Sequence, residues 1–509
     1  MIPGLLLAFL SGAIALSYEI LWYRAFSFAS GGRGDTFGLL LGAYLVGLAL
    51  GSLGIRRYCR DTDRNARHDL IPSIVLLTLV ANTVGFFVVP ALGWTLTHGL
   101  AWEYGLVLVA LSAAGLGTVF PLIAHVWIDP DDDVGAKISY LYLGNILGSA
   151  LGSLLTGFVL TDHLSLAALH LLLFFMGLGM TSVLLFLGPR SRLLPTGAVL
   201  VAFGVLGGSL GSSFFIGIYE KLQEKIGYSP ERRFTHIVET KSGVITVNGN
   251  DQLFGGGIYD GAFNTSLRTD KNSILRCYAL AQLHRSPEEA LMIGLGSGSW
   301  ATIVANNPAV KHLTVVEINA GYLQLLPRYP AVAGLLHHPK VTLVIDDGRR
   351  WIIRNSDRRF DLIVANATFN WRSNASNLLS REFLELIRSR LKPGGLYYYN
   401  TTESLRVVRT GCTVFPHALK VGSFLAVSDS PLELDSDQLR ELLYRYPWER
   451  GVALDRAQPE DVATMERLMR SLNRMIRTRT RILESTPVRP LITDDNMGTE
   501  WEAIPELLP

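Results

Sequence analysis

The sequence predicts two architectures in one chain: an all-α polytopic membrane bundle, then a doubly wound α/β domain shaped to hold a nucleoside. Three observations predict it. Charges are sparse before Tyr219 and dense after it, so the formal net charge of +2 describes neither part. About seven apolar runs in the first part each reach the roughly twenty residues needed to cross a hydrocarbon core. In the second part short apolar runs alternate with helical stretches, and one of them breaks into Gly294-Leu295-Gly296-Ser297-Gly298, glycines that let the backbone pass close to a ligand. At 509 residues the chain is too long for one ordinary domain, and with 49% hydrophobic residues and a mean hydropathy of +0.28 it is too apolar to be wholly soluble.

The predicted spans lie near 4–25, 37–55, 70–93, 103–127, 138–160, 166–188 and 194–217, giving a transmembrane domain over 1–218. Gly144, Gly148 and Gly152, and later Gly207, Gly208 and Gly211, recur at helical spacing, which lets helices approach closely and predicts a packed bundle. Met1-Ile2-Pro3 lacks the basic start of a signal peptide, so the first run is expected to stay as an anchor. Arg56, Arg57, Arg60, Arg64 and Arg67 follow the second span, and Arg190 and Arg192 follow the sixth. The positive-inside rule places both loops in the cytoplasm, and with seven spans it would put the second part outside. Lys221, Lys225, Arg232 and Arg233 form a competing basic cluster, and a nucleoside co-substrate is expected only in the cytosol. The expectation adopted is therefore an integral protein of the bacterial inner membrane with its C-terminal domain in the cytoplasm. Within the spans, Glu19 needs a partner. Arg24 at the interface is one candidate, and a substrate or ion inside the bundle is the other. Asn145 and His125 read as interhelical hydrogen-bonding groups, and Cys59, Cys277 and Cys412 as free thiols.

Residues 219–231 read as an amphipathic connector along the membrane surface. Phe234 to Leu253 alternates as a β-hairpin does, and Lys271 to Leu283 reads as a helix. Strands then follow at Leu291–Ile293, at Leu313–Ile318 with Glu317 near its end, at Val341–Ile345 before Asp346-Asp347-Gly348, and at Asp361–Ala365 before Asn366-Ala367-Thr368. A fifth, Leu396–Asn400, follows Leu391-Lys392-Pro393-Gly394-Gly395. An acid about twenty residues past a glycine loop reaches the ribose hydroxyls of a nucleoside lying over that loop. Residues 434–480 read as two charged helices within a C-terminal extension, 431–509.

This ordered set resembles the nucleoside-methionine fold of the methyltransferases and, within it, the spermidine synthase (polyamine aminopropyltransferase) family, over residues 232–430. The first half resembles that family's membrane-fused branch. The resemblance implies a Rossmann-like domain with a small N-terminal β-hairpin region. It assigns Gly294, Gly296, Ser297, Gly298 and Gln252 to cofactor binding, Glu317 to the ribose and Asp347 to the adenine amine. Asp346 stands beside Asp347 as a second binding candidate, or as the cap of the helix that begins at Gly348.

The chain also departs from the family's pattern. Ser297 stands where the family has an acid for the cofactor's amine, Phe263-Asn264-Thr265 where it has Tyr-His-Glu, and Ala365 and Thr368 where it has two aspartates. The candidate catalytic residues are accordingly Asn366, Thr368 and Asn370, in a polar loop with Arg372, and Asp495 in Thr493-Asp494-Asp495-Asn496. Glu403 is a candidate wall of the acceptor pocket.

The function expected is a membrane-bound transferase that uses decarboxylated S-adenosylmethionine, or S-adenosylmethionine itself, to move an aminopropyl or related group. Its acceptor is a small molecule or one presented at the lipid bilayer. No metal and no nucleic-acid partner is expected, and a homodimer is left open. An S-adenosylmethionine-dependent methyltransferase and a non-catalytic nucleoside-binding sensor or transport protein are the alternatives.

Overall fold

Among the described residues of the computed structural model, seven helices are long and apolar enough to cross a membrane: Ile2–Ala29, Asp35–Ile55, Ile71–Thr97, Trp102–Trp127, Val134–His163, Leu166–Leu187 and Thr196–Gly227. The structure describes the chain except residues 61–69, 130–131, 189–192, 367–368, 449–450, 486–487, 497–499 and 501–509. Arg64, Arg67, Arg190, Arg192 and Thr368 therefore lie outside the described residues. The chain divides into two compact units: Met1–Gly32 with Thr36–Val244, and Arg33–Asp35 with Ile245–Pro509.

In the first unit the small residues do what their spacing predicts. Helix α1 (Ile2–Ala29) meets α2 (Val134–Leu155) so closely that a side chain at Gly148 or Gly152 would run into the carbonyls of Phe9 and Ala13. Asn145 donates to the Ala8 carbonyl at 3.0 Å across the same seam. Arg24 donates to the Thr240 carbonyl at 2.6 Å and lies 3.7 Å from Glu239, so it is not the partner of Glu19, which is buried in the bundle. The stretch expected as a connector begins inside the seventh of these helices, Thr196–Gly227. Its turn of helix, Ile218–Glu224, puts Ile218, Tyr219 and Leu222 into the bundle's apolar core. Tyr219 also donates to Glu239 at 2.7 Å, so this unit continues to Val244, past the expected border at 218.

A four-stranded sheet follows, in the order β1 (His236–Thr240), β2 (Gly243–Val247), β3 (Gln252–Gly255) and β4 (Ile258–Ala262). The alternation from Phe234 to Leu253 predicts a single hairpin; β4 adds a strand after the turn Gly255-Gly256-Gly257. The helix expected over Lys271–Leu283 is broken into short turns, with Asn272 and Ser273 at positive φ.

The main sheet has eight strands. Its parallel part is β5 (Glu289–Ile293), β6 (His312–Glu317), β7 (Val341–Ile345), β8 (Phe360–Ala365) and β9 (Leu391–Asn400), and the antiparallel extension is β10 (His417–Val421), β11 (Phe424–Ser428) and β14 (Ile476–Thr478). Two short strands, β12 (Pro447–Trp448) and β13 (Gly451–Val452), pair apart from it. The order β14-β10-β11-β9-β8-β5-β6-β7 places β5 between β6 and β8, so the connections run outward in both directions from β5. A crevice opens at the carboxyl ends of the strands at such a switch point. Beyond β11 the extension holds, among the described residues, three helices, Ser436–Leu443, Pro459–Met475 and Arg479–Ser485.

Candidate active site

The site is built on the tip of β5. Gly294, Gly296 and Gly298 all have positive φ, and a side chain at Gly294 would come within 3.0 Å of the Asn366 carbonyl. Only glycine combines that backbone conformation with so close a pass of the β8 tip. The Asn366 amide donates to the Ile293 carbonyl at 3.1 Å, and the Gly294 amide to Val316 at 2.9 Å, which ties three strand tips together. Gly298 caps the helix Ser299–Asn306, whose amino end faces the loop.

Glu317, at the tip of β6, is 5% exposed. Its Oε2 accepts from the Leu295 amide at 2.7 Å and its Oε1 from the Asn319 amide at 2.8 Å. The acid thus buttresses the glycine loop. Burial pushes its carboxyl up to about 7, against the pull of those two amides.

At the tip of β7 the helix cap is Asp347 and not its neighbour Asp346. Asp347 is the helix cap, its Oδ1 accepting from the Arg350 amide at 2.8 Å at the start of the helix Gly348–Arg354. Asp346 accepts from Arg350 Nε at 2.6 Å and lies 3.8 Å from Arg354, and the Arg350 guanidinium holds its carboxyl below the usual range. The sequence Asp-Asp-Gly offers either acid as a cap, and the backbone selects the one whose φ and ψ are extended.

Several candidates are committed elsewhere. Ser297 donates to Ser299 Oγ at 2.9 Å, and Ser299 bonds the Ala262 carbonyl and the Asn264 amide, so the loop serine is part of the scaffold joining β4 to the glycine loop. Gln252 accepts from Asn248 Nδ2 at 2.8 Å inside its own turn. Phe263 stacks on Tyr329 at 3.6 Å, Asn264 Nδ2 donates to the Ser266 and Lys271 carbonyls, and the Thr265 carbonyl takes the Tyr278 hydroxyl.

Ala365 is wholly buried inside β8, its Cα opposite Ile293 and Tyr399, so the residue at the strand tip is Asn366. Asn370 accepts from the Thr402 hydroxyl at 2.8 Å, which anchors the loop to the end of β9. Glu403 is exposed and pairs with Lys420 at 2.8 Å. Asp495 is exposed as well. Its neighbour Asp494 is the anchored acid, taking both Arg349 nitrogens, at 2.7 and 2.5 Å, and the Ser380 hydroxyl at 2.6 Å.

The sequence reading missed three groups. Asp260, half-buried on β4, accepts from the Tyr322 hydroxyl at 2.6 Å and couples electrostatically to both Glu317 and Arg372. Burial pushes its carboxyl up, against the opposing pulls of Tyr322 and Arg372. Gly255 and Gly256 lack side chains where the Tyr322 hydroxyl and an Arg372 guanidinium nitrogen pack, so the triple glycine was the available signal. Glu500 is buried and accepts from the Asn374 amide at 2.8 Å and the Ser376 amide at 2.7 Å, clasping the far end of the β8 loop. Arg33, in the stretch that belongs to the second unit, bridges Arg372.

Residues 278–409, which include the glycine loop, Glu317 and the β8 tip, match the family model described as the spermine/spermidine synthase domain. The C-terminal region carries a spermine/spermidine synthase domain. A spermidine synthase of Dictyostelium discoideum is 32% identical over 114 residues, 22% of this chain and 39% of that protein. A polyamine aminopropyltransferase of Corynebacterium efficiens is 25% identical over 395 residues, 75% of this chain and 74% of the relative. The spermidine synthase structure from Thermotoga maritima aligns with a TM-score of 0.35 at 17% identity, covering 48% of this chain and 88% of that one. The matched region is similar to transferases of that class and spans 39% of the first relative's own length. Asp260 and Glu500 fall outside the matched residues.

Proposed function

We propose that the protein is a membrane-bound transferase that moves an aminopropyl group from decarboxylated S-adenosylmethionine to an amine acceptor, itself a small molecule or one presented at the bilayer. The observation that carries this reading is the glycine loop of the synthase domain, bordered by two acids, Glu317 and Asp260, of which Glu317 is buried against its backbone. In this reading Glu317 takes the ribose hydroxyls and Asp347 the adenine amine, while the amides of the glycine loop and of the following helix face the nucleoside. The acceptor nitrogen's lone pair attacks the carbon next to the sulfonium. The carbon–sulfur bond breaks with its electrons going to sulfur, and a neutral thioether nucleoside leaves as the acceptor nitrogen loses a proton. A sulfonium is already a good leaving group, so alignment supplies much of the rate.

Asn366 and Asn370 are the groups this reading places on the acceptor side. They are hydrogen-bonding amides that orient a nitrogen without binding it as a cation, so the acceptor arrives uncharged or loses its proton to water. The donor is made in the cytosol, which favours a cytoplasmic synthase domain. Ser297 favours methyl transfer from S-adenosylmethionine as the second reading, because a hydroxyl does not repel the carboxylate of that donor. The purified full-length protein should release 5′-methylthioadenosine from decarboxylated S-adenosylmethionine when amines are supplied. Release of S-adenosylhomocysteine from S-adenosylmethionine instead would establish the second reading, and binding of neither donor in the micromolar range would reject both.

A further inference from the structure

The donor proposed above carries a three-carbon arm ending in a primary amine, a cation at neutral pH. With the ribose on Glu317 and the adenine toward Asp347, the arm has the middle of the glycine loop beneath it. The carboxylate found there belongs to β4: a side chain at Gly296 would sit 3.4 Å from the Asp260 carbonyl and 3.9 Å from its Oδ2. We infer that Asp260 holds the ammonium group of the decarboxylated donor, supplying from the small sheet the negative charge that Ser297 does not supply from the loop. This rests on the donor reading given under Proposed function.

Asp260 is fixed for such a task. The Tyr322 hydroxyl donates to Oδ2 at 2.6 Å, which sets the plane of the carboxylate, and Oδ2, the oxygen that lies near Gly296, keeps a further lone pair to meet a cation. Gly255 keeps that arrangement open, since a side chain there would collide with the Tyr322 hydroxyl. Arg372, whose guanidinium lies against Gly256, supplies compensating positive charge to Asp260. Burial disfavours the ionised carboxylate, so an arriving cation gains more from it than it would from an acid in water. The same geometry selects against the carboxylated donor, whose extra anion would be placed beside Asp260 and Glu317, two acids already coupled to one another.

The test is calorimetry on the purified full-length protein with 5′-methylthioadenosine, decarboxylated S-adenosylmethionine and S-adenosylmethionine. Wild type, Asp260→Asn and Asp260→Glu are compared. The wild type should bind the decarboxylated donor about 10–100-fold more tightly than methylthioadenosine, the range of a hydrogen bond to a charged group. Measured at pH 8 and above, where Glu317 is ionised, Asp260→Asn, which still accepts from Tyr322, should erase that gain and narrow the gap to S-adenosylmethionine while leaving methylthioadenosine binding unchanged. Asp260→Glu should restore part of the gain. If Asp260→Asn keeps the gain, another group holds the amine. If it weakens methylthioadenosine equally, Asp260 is only scaffold. Either result overturns the assignment while leaving the donor reading intact. A wild type that binds none of the three ligands overturns the donor reading and this assignment with it.

Discussion

Replacing Glu317 by Gln removes one proton-binding group from under the glycine loop and changes little else in shape. Burial holds the Glu317 carboxyl up to about 7, so about one molecule in eleven is ionised at pH 6 and about ten in eleven at pH 8. Ribose hydroxyls donate to the ionised form, so nucleoside binding draws a proton off. Its affinity should therefore rise about tenfold from pH 6 to pH 8 and level off above, the limit for one linked proton being tenfold per pH unit. The sign for the ligand-free fold is opposite. A folded pKa above the unfolded value of 4.5 means stability present below 4.5 and lost as pH rises through about 7. The assay is calorimetry with 5′-methylthioadenosine at several pH values, in buffers of different ionisation heat so that proton release is read directly. Glu317→Gln should bind more weakly and show a flat profile. A flat wild-type profile, or a variant with the wild-type slope, would refute the assignment of Glu317 as the ribose acid.

Four further outcomes follow from the same geometry. Glu317→Ala should weaken nucleoside binding by about 1.5–3 kcal/mol in the same calorimetry at pH 8. Gly294→Ala, forced to keep φ +87° against the Asn366 carbonyl, should lower stability by about 1–3 kcal/mol in thermal unfolding. Ala365→Asp buries a carboxylate inside β8 and should cost about 3–5 kcal/mol, while Asn366→Asp one residue on should fold normally, as circular dichroism melts would show. Glu500→Ala strips the acceptor from the Asn374 and Ser376 amides, so turnover should fall while methylthioadenosine affinity is unchanged; equal loss of both would place Glu500 in the nucleoside site.

The features readable in the sequence are those with a period or a fixed spacing. Apolar runs of span length announce the seven long helices, and Gly148 and Gly152 announce the seam with α1 because a close backbone approach needs a small residue every fourth position. Gly294 to Gly298 and Glu317 are bound to each other by the geometry of adjacent parallel strands, so their spacing carried meaning. Asp260 has no such signature: it is a single acid on a short strand, and only the folding of β4 over the glycine loop brings it near Glu317. Glu500 lies more than a hundred residues from the amides it accepts from, and no local pattern encodes that pairing. The helix cap at Asp347 rather than Asp346, and the burial of Ala365 where Asn366 forms the tip, show the same limit at one-residue scale. Composition tells that a strand ends in a polar turn, but which residue points out is fixed by register with Ile293 and Ile345.

β14 closes one border of the main sheet with three residues, Ile476, Arg477 and Thr478, laid against Val421, Lys420 and Leu419. A border this short, carrying an arginine and backed by a lysine, gives a stray polypeptide few groups to zip onto. Its neighbour β10 is longer and includes the buried residues Ala418, Leu419 and Val421. The little strand therefore works as a seal on the sheet's adhesive margin. A protein in which it is cut away or unfastened should still build the crevice, yet it should come out of expression as clumped, β-rich material unless a detergent or partner covers the bared ladder.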